Sequence, residues 1–396
     1  MKKRKHVLSS SFAPILKYPG GKESELPKIL PIIPEQINRY YEPFVGAGAV
    51  YFSIEAEQYL INDKSSELIR LYQMVKSQDS DFIEKLKALN HNWKVITNVV
   101  VVGHAAYLIG LYKRFKLEQI DHKALAQAIV DFVEEHTDAF NGMFLRSFNV
   151  RTERLKKELT KNITAKMKRM KKLEAEQGDL SDADLAKNIE SAFKSAFYMH
   201  FRYLYNTEEE LLAGGEITEG FATAIYVFIR LYCYSSMYRY NRGGEFNVPY
   251  GGISYNSKSM EKYIAAYTDP RMVEHLNKTT IGNLDFYDFV SMHPPCQDDF
   301  VFIDPPYDSE FSTYAKNLFG KSDQERLADY LIYRCRANFM VIIKNTDYIR
   351  SLYPAGAATA NGQQLHIGSF SKKYLVSFQD RNDKNAEHLI ITNYEV

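Results

Sequence analysis

The residues best suited to chemistry in this chain are Asp304, Pro305, Pro306 and Tyr307, in succession. A carboxylate, two prolines and a phenol make a rigid turn lined with acceptors and carrying a ring that can stack. Proline fixes φ and removes a donor, so the local carbonyls stay free to accept. The run Asp299 to Ile303 before the turn predicts a strand, because its apolar residues would lie inside a sheet. A pocket of this kind suits a flat, amine-bearing base lifted out of a helix. The plainer reading is a Pro-Pro loop with an acid before it.

A second group lies near the start. Tyr40 to Val45 predicts a strand, Gly46-Ala47-Gly48 a tight loop, and the spacing of Tyr51, Phe52 and Ile54 a helix. Tyr59 to Ile61 predicts a second strand, ending at Asn62 and Asp63, with a helix from Ser65 to about Lys76. Strand, glycine loop, helix, strand, acid is the opening of a doubly wound nucleotide-binding sheet. Gly46 and Gly48 would let the backbone approach a ligand, and Asp63 could accept both hydroxyls of a ribose. A tight turn and a helix N-cap are the structural alternatives. Gly20-Gly21-Lys22 is not a phosphate loop, because Leu16 and Glu23 occupy positions where a Gly and a Ser or Thr are needed.

The elements around these groups fall into two patterns. From about Asp79 to Tyr240 the apolar spacing is almost wholly helical, with Ala124 to Glu135 and Phe221 to Tyr238 apolar enough for core helices. Residues 151–172 form a strongly basic helix, either a solvated face or a surface that tracks phosphates. Gly178 ends it, and Ser181 with Asp184 reads as the next cap. Alternation returns after Asn256. Ser322 to Glu325 reads as a helix cap, Phe339 to Ile343 as a strand buried on both faces, and His388 to Thr392 as a last strand. The expected fold is α/β: a Rossmann-like sheet with an inserted, mostly α-helical domain. The catalytic domain would be discontinuous (12–78 and 257–396), the insertion would span 79–256, and 1–11 would be a basic arm.

Composition narrows the function classes. The chain has 396 residues, 45% hydrophobic and 14% aromatic, with a formal net charge of +1. Any surface for a polyanion must therefore be local. Cys233, Cys296 and Cys335 are far apart, with no CxxC pair, which fits a reducing, cytoplasmic compartment. No apolar run is long enough to span a membrane, and no h-region follows the basic N-terminus. Without an HExxH or CxxC motif, no metal site is expected.

Leu16 to Lys22, Glu42 to Gly48, Asn62-Asp63, Tyr238 to Asn241, Glu245 to Gly251 and Asp304 to Tyr307 together resemble the Dam-type (D12 class, alpha group) DNA adenine-N6 methyltransferases, in that family's order. Asn345 to Asp347 and Glu387 to Tyr394 match its C-terminal portion. The resemblance covers about 12–75 and 220–396; residues 79–220 find no match in it. It implies S-adenosylmethionine as cofactor, held by Tyr18, Lys22, Phe44, Gly46, Gly48, Asp63 and Asp304. It implies that Asp304 and the Pro305 carbonyl accept from an adenine N6 amine, and that Tyr307 stacks on the flipped base. It implies double-stranded DNA as partner, contacted by Lys17, Tyr234, Arg239, Asn241 and Pro249. A cognate restriction endonuclease is a further candidate partner, in a bacterial or phage-encoded, nucleoid-associated setting. Gly252-Ile253 departs from the Arg-Tyr of Dam-like members, which leaves the recognition sequence open. The competing readings are an RNA methyltransferase acting on an exocyclic amine, and a catalytically silent DNA-binding protein.

Overall fold

The computed structural model describes residues 12–18, 20–140, 142–145, 148–306, 319–373 and 385–395. Tyr307 and the 1–11 arm lie outside them. The chain forms two compact units, 1–77 with 266–396, and 78–265.

The first unit is built on seven strands: β1 Arg39–Glu42, β2 Gln58–Asn62, β3 Thr279–Gly282, β4 Phe300–Ile303, β5 Asn338–Lys344, β6 His366–Lys373 and β7 Asn385–Thr392. Their order is β3-β2-β1-β4-β5-β7-β6. The first five run parallel, and β7 is inserted antiparallel between β5 and β6. All four β4 residues are buried, as are the five residues Phe339 to Ile343 inside β5, as their unbroken apolar runs require. Phe286 and Phe289 of the helix Phe286–Met292, and Leu327 and Leu331 of the helix Lys321–Tyr333, close one sheet face over Tyr41, Val301 and Phe339. The strand order reverses direction between β1 and β4. In open α/β sheets the crevice beyond the C-terminal ends of two such strands is where ligands bind.

Several expectations are corrected here. No α-helix follows the glycine loop; the segment makes one 3₁₀ turn, Tyr51–Ser53, in which Tyr51 and Phe52 are both fully buried in an aromatic cluster. The cap of the helix Lys321–Tyr333 is Gly320, whose N–H donates to Asp323 at 3.0 Å, so Ser322 and Glu325 do not form it. Strand β6 was not expected. It is an edge strand rich in Ser, Lys and Gly, and its stability comes from pairing with β7.

The second unit is helical: Ser80–Thr97, Ala105–Lys116, His122–Glu135, Thr152–Gln177, Asp182–Asn206, Glu208–Ala213 and Glu219–Tyr232. Trp93, Phe197, Phe201, Phe228 and Tyr232 form its aromatic core. The unit runs nine residues further than 256, because Met260 donates to Asn90 at 2.8 Å and Lys258 to the Leu231 carbonyl at 3.0 Å. The helix expected to reach Tyr238 stops at Tyr232, where Cys233 turns extended (ψ 148°). The basic helix runs from Thr152 to Gln177 and ends at Gly178, whose φ is +92°. Ser181 caps the next helix, accepting from the Asp184 N–H at 3.1 Å.

Candidate active site

The loop after β1 and the turn after β4 both open on the crevice where the strand order reverses. Gly48 has φ +75°, and a Cβ there would lie 2.6 Å from the Tyr72 hydroxyl and 3.1 Å from the Phe52 ring, so only glycine fits. Gly46 has φ +49°, and a Cβ there would point at the Tyr18 ring, 3.6 Å away. The Tyr72 hydroxyl donates to the Gly46 carbonyl at 3.0 Å. Ile15 N–H donates to the Ala47 carbonyl at 3.0 Å, which lays the segment carrying Lys17 and Tyr18 along the loop.

Asp63, half-buried beyond the end of β2, accepts from Gly46 N–H at 3.0 Å through one oxygen and from Ser65 N–H at 2.9 Å through the other. Burial pushes its pKa up, against the pull of these N–H donors. Each carboxylate oxygen has a second lone pair, so a diol can still be accepted. Asn62, to which the sequence assigned no task, clamps the strand ends. Its amide donates to the Pro43 and Leu284 carbonyls, at 3.1 and 3.0 Å.

Asp304 stands at the C-terminal end of β4 and pairs with the ammonium of Lys22, which is only 3% exposed. Lys22 also donates to the Gly20 carbonyl at 3.0 Å. These two residues, 282 apart in sequence, thus meet in the crevice. Glu42, buried at the end of β1, accepts from the Tyr40 hydroxyl at 2.6 Å. Burial holds its pKa well above the usual carboxylate range; the nearby Asp304 adds to this, and Lys22 opposes it. No sequence signal distinguished Glu42 from a strand-end acid. Pro305 is buried, and the Pro306 carbonyl accepts from Gln324 at 2.9 Å. Phe44 packs at 5.5 Å from Phe286 and 5.4 Å from Phe319, half-buried at the rim of the hydrophobic cluster. The described residues contain no group of three or more His, Cys, Asp or Glu that could hold a metal.

The D12 class N6 adenine-specific DNA methyltransferase family matches residues 18–199 and 182–365. The chain belongs to this family. The match runs through 79–220, which the motif resemblance left unmatched. The type II methyltransferase M.CviBI of Paramecium bursaria Chlorella virus NC1A is 31% identical over 175 residues, covering 43% of this chain and 60% of that protein. The retron Ec67 DNA adenine methylase of Escherichia coli is 34% identical over 151 residues, covering 38% and 50%. The type II methyltransferase M.MjaIII of Methanocaldococcus jannaschii is 23% identical over 408 residues, 96% of this chain and 99% of its own. The first two alignments thus span only 60% and 50% of those relatives.

In the helical unit of this D12-family chain, Tyr234 is 51% exposed, so it is not part of an apolar core helix. Its N–H donates to the carbonyl of Pro249, itself exposed, at 2.9 Å, which brings those two residues together. Arg239 is exposed, and its guanidinium binds Asn247, through Nε to the side-chain oxygen at 2.8 Å. Asn241 is occupied in a turn, accepting from Gly243 and Glu245 N–H at 3.0 and 2.9 Å. Lys17, in the other unit, is exposed.

Proposed function

We propose that this chain transfers a methyl group from S-adenosylmethionine to the N6 amine of an adenine flipped out of duplex DNA. The observation that carries this reading is Asp304 at the reversal point of the sheet, in a chain of the D12 family. The residues fit the cofactor. Glycines at 46 and 48 keep the cradle clear of side-chain atoms, Tyr18 offers a ring beside Gly46, and Asp63 retains acceptor capacity for a ribose. S-adenosylmethionine supplies an electrophilic methyl group on a sulfonium. No metal is needed for such a transfer.

The task of the protein residues is to make a poor nucleophile react. The lone pair of an adenine amine is delocalised into its ring. Asp304, with the Pro305 carbonyl, would hold the amine's protons and favour its rehybridisation as positive charge develops on nitrogen. Asp304 would share its carboxylate between that amine and Lys22. Tyr307 would stack on the base. On the DNA side, Tyr234 and Pro249 form one exposed pair, and Arg239 would exchange Asn247 for a guanine edge. Asn241 would act through the turn it closes, and Lys17 would reach a base or phosphate from the other unit.

The basic helix contributes a narrower surface than its composition suggests. Arg151, Arg154, Lys156, Lys171 and Lys172 are paired with carboxylates. Among the described residues, Lys157, Lys161 and Lys168 have no ion pair, are exposed, and recur at intervals of four and seven on one helix face. We assign this row to phosphate contact.

Incubation with methyl-labelled S-adenosylmethionine and either duplex DNA or RNA tests the reading. Label in DNA adenine is expected. Label in RNA alone, or in neither, overturns it. Type II names among the relatives make a cognate endonuclease a partner to seek.

A further inference from the structure

The helix Glu219–Tyr232 buries a cation, Arg230. Arg230 is 0% exposed, and among the described residues no carboxylate pairs with it. Its Nη2 donates to the Ser236 carbonyl at 3.4 Å and the Met237 carbonyl at 3.1 Å. The guanidinium lies against the Tyr238 ring, with Phe246 at 5.0 Å. Among the described residues, its Nε and Nη1 have no hydrogen-bond partner. Burying a cation in this way is costly, and a Met of similar volume would fill the space without that cost.

The segment Arg230 holds is strained. Ser235 and Ser236 both have positive φ, 53° and 52°, a conformation that non-glycine residues adopt rarely and at a cost. Tyr234 precedes the strained pair, and Arg239 follows soon after it. Two charge-assisted bonds to carbonyls inside the strained turn are suited to keeping it from relaxing.

We propose that Arg230 is the positioning residue for displacement of the target base: it clamps the Ser235–Met237 turn so that Tyr234 stands outward beside Pro249, ready to enter the DNA stack. The inference rests on the DNA methyltransferase reading. A wedge side chain lowers the cost of unstacking. Its value should vanish when the target adenine is already unpaired.

The experiment uses the full chain. The wild type is expressed in a methylation-free host, its modified adenines are mapped, and two duplexes are made. One has the target adenine paired, the other has it opposite an abasic site. Arg230→Met is expected to bind S-adenosylmethionine as the wild type does. On the paired duplex its kcat/KM should fall on the order of tenfold to a hundredfold, and on the unpaired duplex stay within about twofold. Equal loss on both duplexes, or no loss on either, overturns the clamp. If Arg230→Met fails to fold by circular dichroism, Arg230→Lys, which keeps the charge but not the fork, goes through the same comparison. A wild type that methylates neither duplex overturns the functional reading beneath the proposal.

Discussion

At the scale of single residues, the site turns on the ion pair between Lys22 and Asp304. Asp304 is the proposed acceptor for the amine, so Asp304→Ala should lose at least about a hundredfold in methyl transfer. Equilibrium binding of S-adenosylmethionine should change little, since Asp63, Gly46 and Tyr18 are untouched. Labelled-methyl kinetics and cofactor titration on the same preparation check both halves, and retained turnover would refute the role given to Asp304. Asp63 has a second task besides the ribose contact proposed for it. It ties the glycine loop to the start of the helix Ser66–Ser77 through two backbone N–H groups. Asp63→Asn leaves the donors one charged acceptor fewer and should weaken cofactor binding about tenfold, or about 1.4 kcal/mol. Isothermal titration decides this, and unchanged affinity would reduce Asp63 to a brace.

At the scale of elements, the glycine loop differs between its two ends. Gly48 combines a left-handed backbone with a Cβ position 2.6 Å from the Tyr72 hydroxyl, whereas Gly46 has only the backbone conformation and ordinary contact with Tyr18. Gly48→Ala should therefore destabilise the fold by about 2–4 kcal/mol. Gly46→Ala should cost about 1 kcal/mol. Urea midpoints of the two variants test the ranking, and equal costs would contradict it. The elements that were legible in the sequence are those whose apolar pattern permits one solution. β4 and β5 are short unbroken apolar runs between turn residues. The helix Glu219–Tyr232 was legible but overextended, because Tyr234, Met237 and Tyr238 continue its apolar composition while serving a turn held by Arg230. β6 was invisible, because its partner β7 supplies what its own residues lack.

At the scale of the whole molecule, two buried histidines, one in each unit, contribute to the response to acid. Burial, with Arg154 nearby, holds His200 down at about 3. Burial, with Lys278 nearby, holds His275 at about 4. Both are neutral in the fold, while the unfolded chain takes up protons below about 6.5. Their contribution is complete above that pH and is lost as pH falls toward the folded values. By pH 4 each should have withdrawn about 3 kcal/mol. His200→Gln should flatten the slope of stability against pH between 6.5 and 4 by about one proton. Urea titrations across that range provide the check, and an unchanged slope would mean that His200 is protonated in the fold. The unpaired lysine row predicts a second bulk property. Replacing Lys157, Lys161 and Lys168 with Gln should reduce the slope of log affinity for DNA against log salt by about 2–3. An unaltered slope would make that row a solvated face.

The sequence alone determined the chemistry on offer and the order of its parts. An acid before two prolines, a glycine loop after a strand and an acid ending the next strand are local patterns, set by backbone sterics and apolar spacing. Only the tertiary structure decided which of these groups meet. The Lys22–Asp304 pair and the Asn62 clamp on Leu284 join residues that become neighbours only through strand order. Packing also brings Arg151, Lys156 and Lys171 of the basic helix to carboxylates of other segments, whereas Arg154 and Lys172 pair within the helix at i,i+4. Apolar period encodes an element and its buried face. The Lys22–Asp304 pair and the carbonyls that Asn62 shares depend on distances between elements, and those exist only once the sheet has formed.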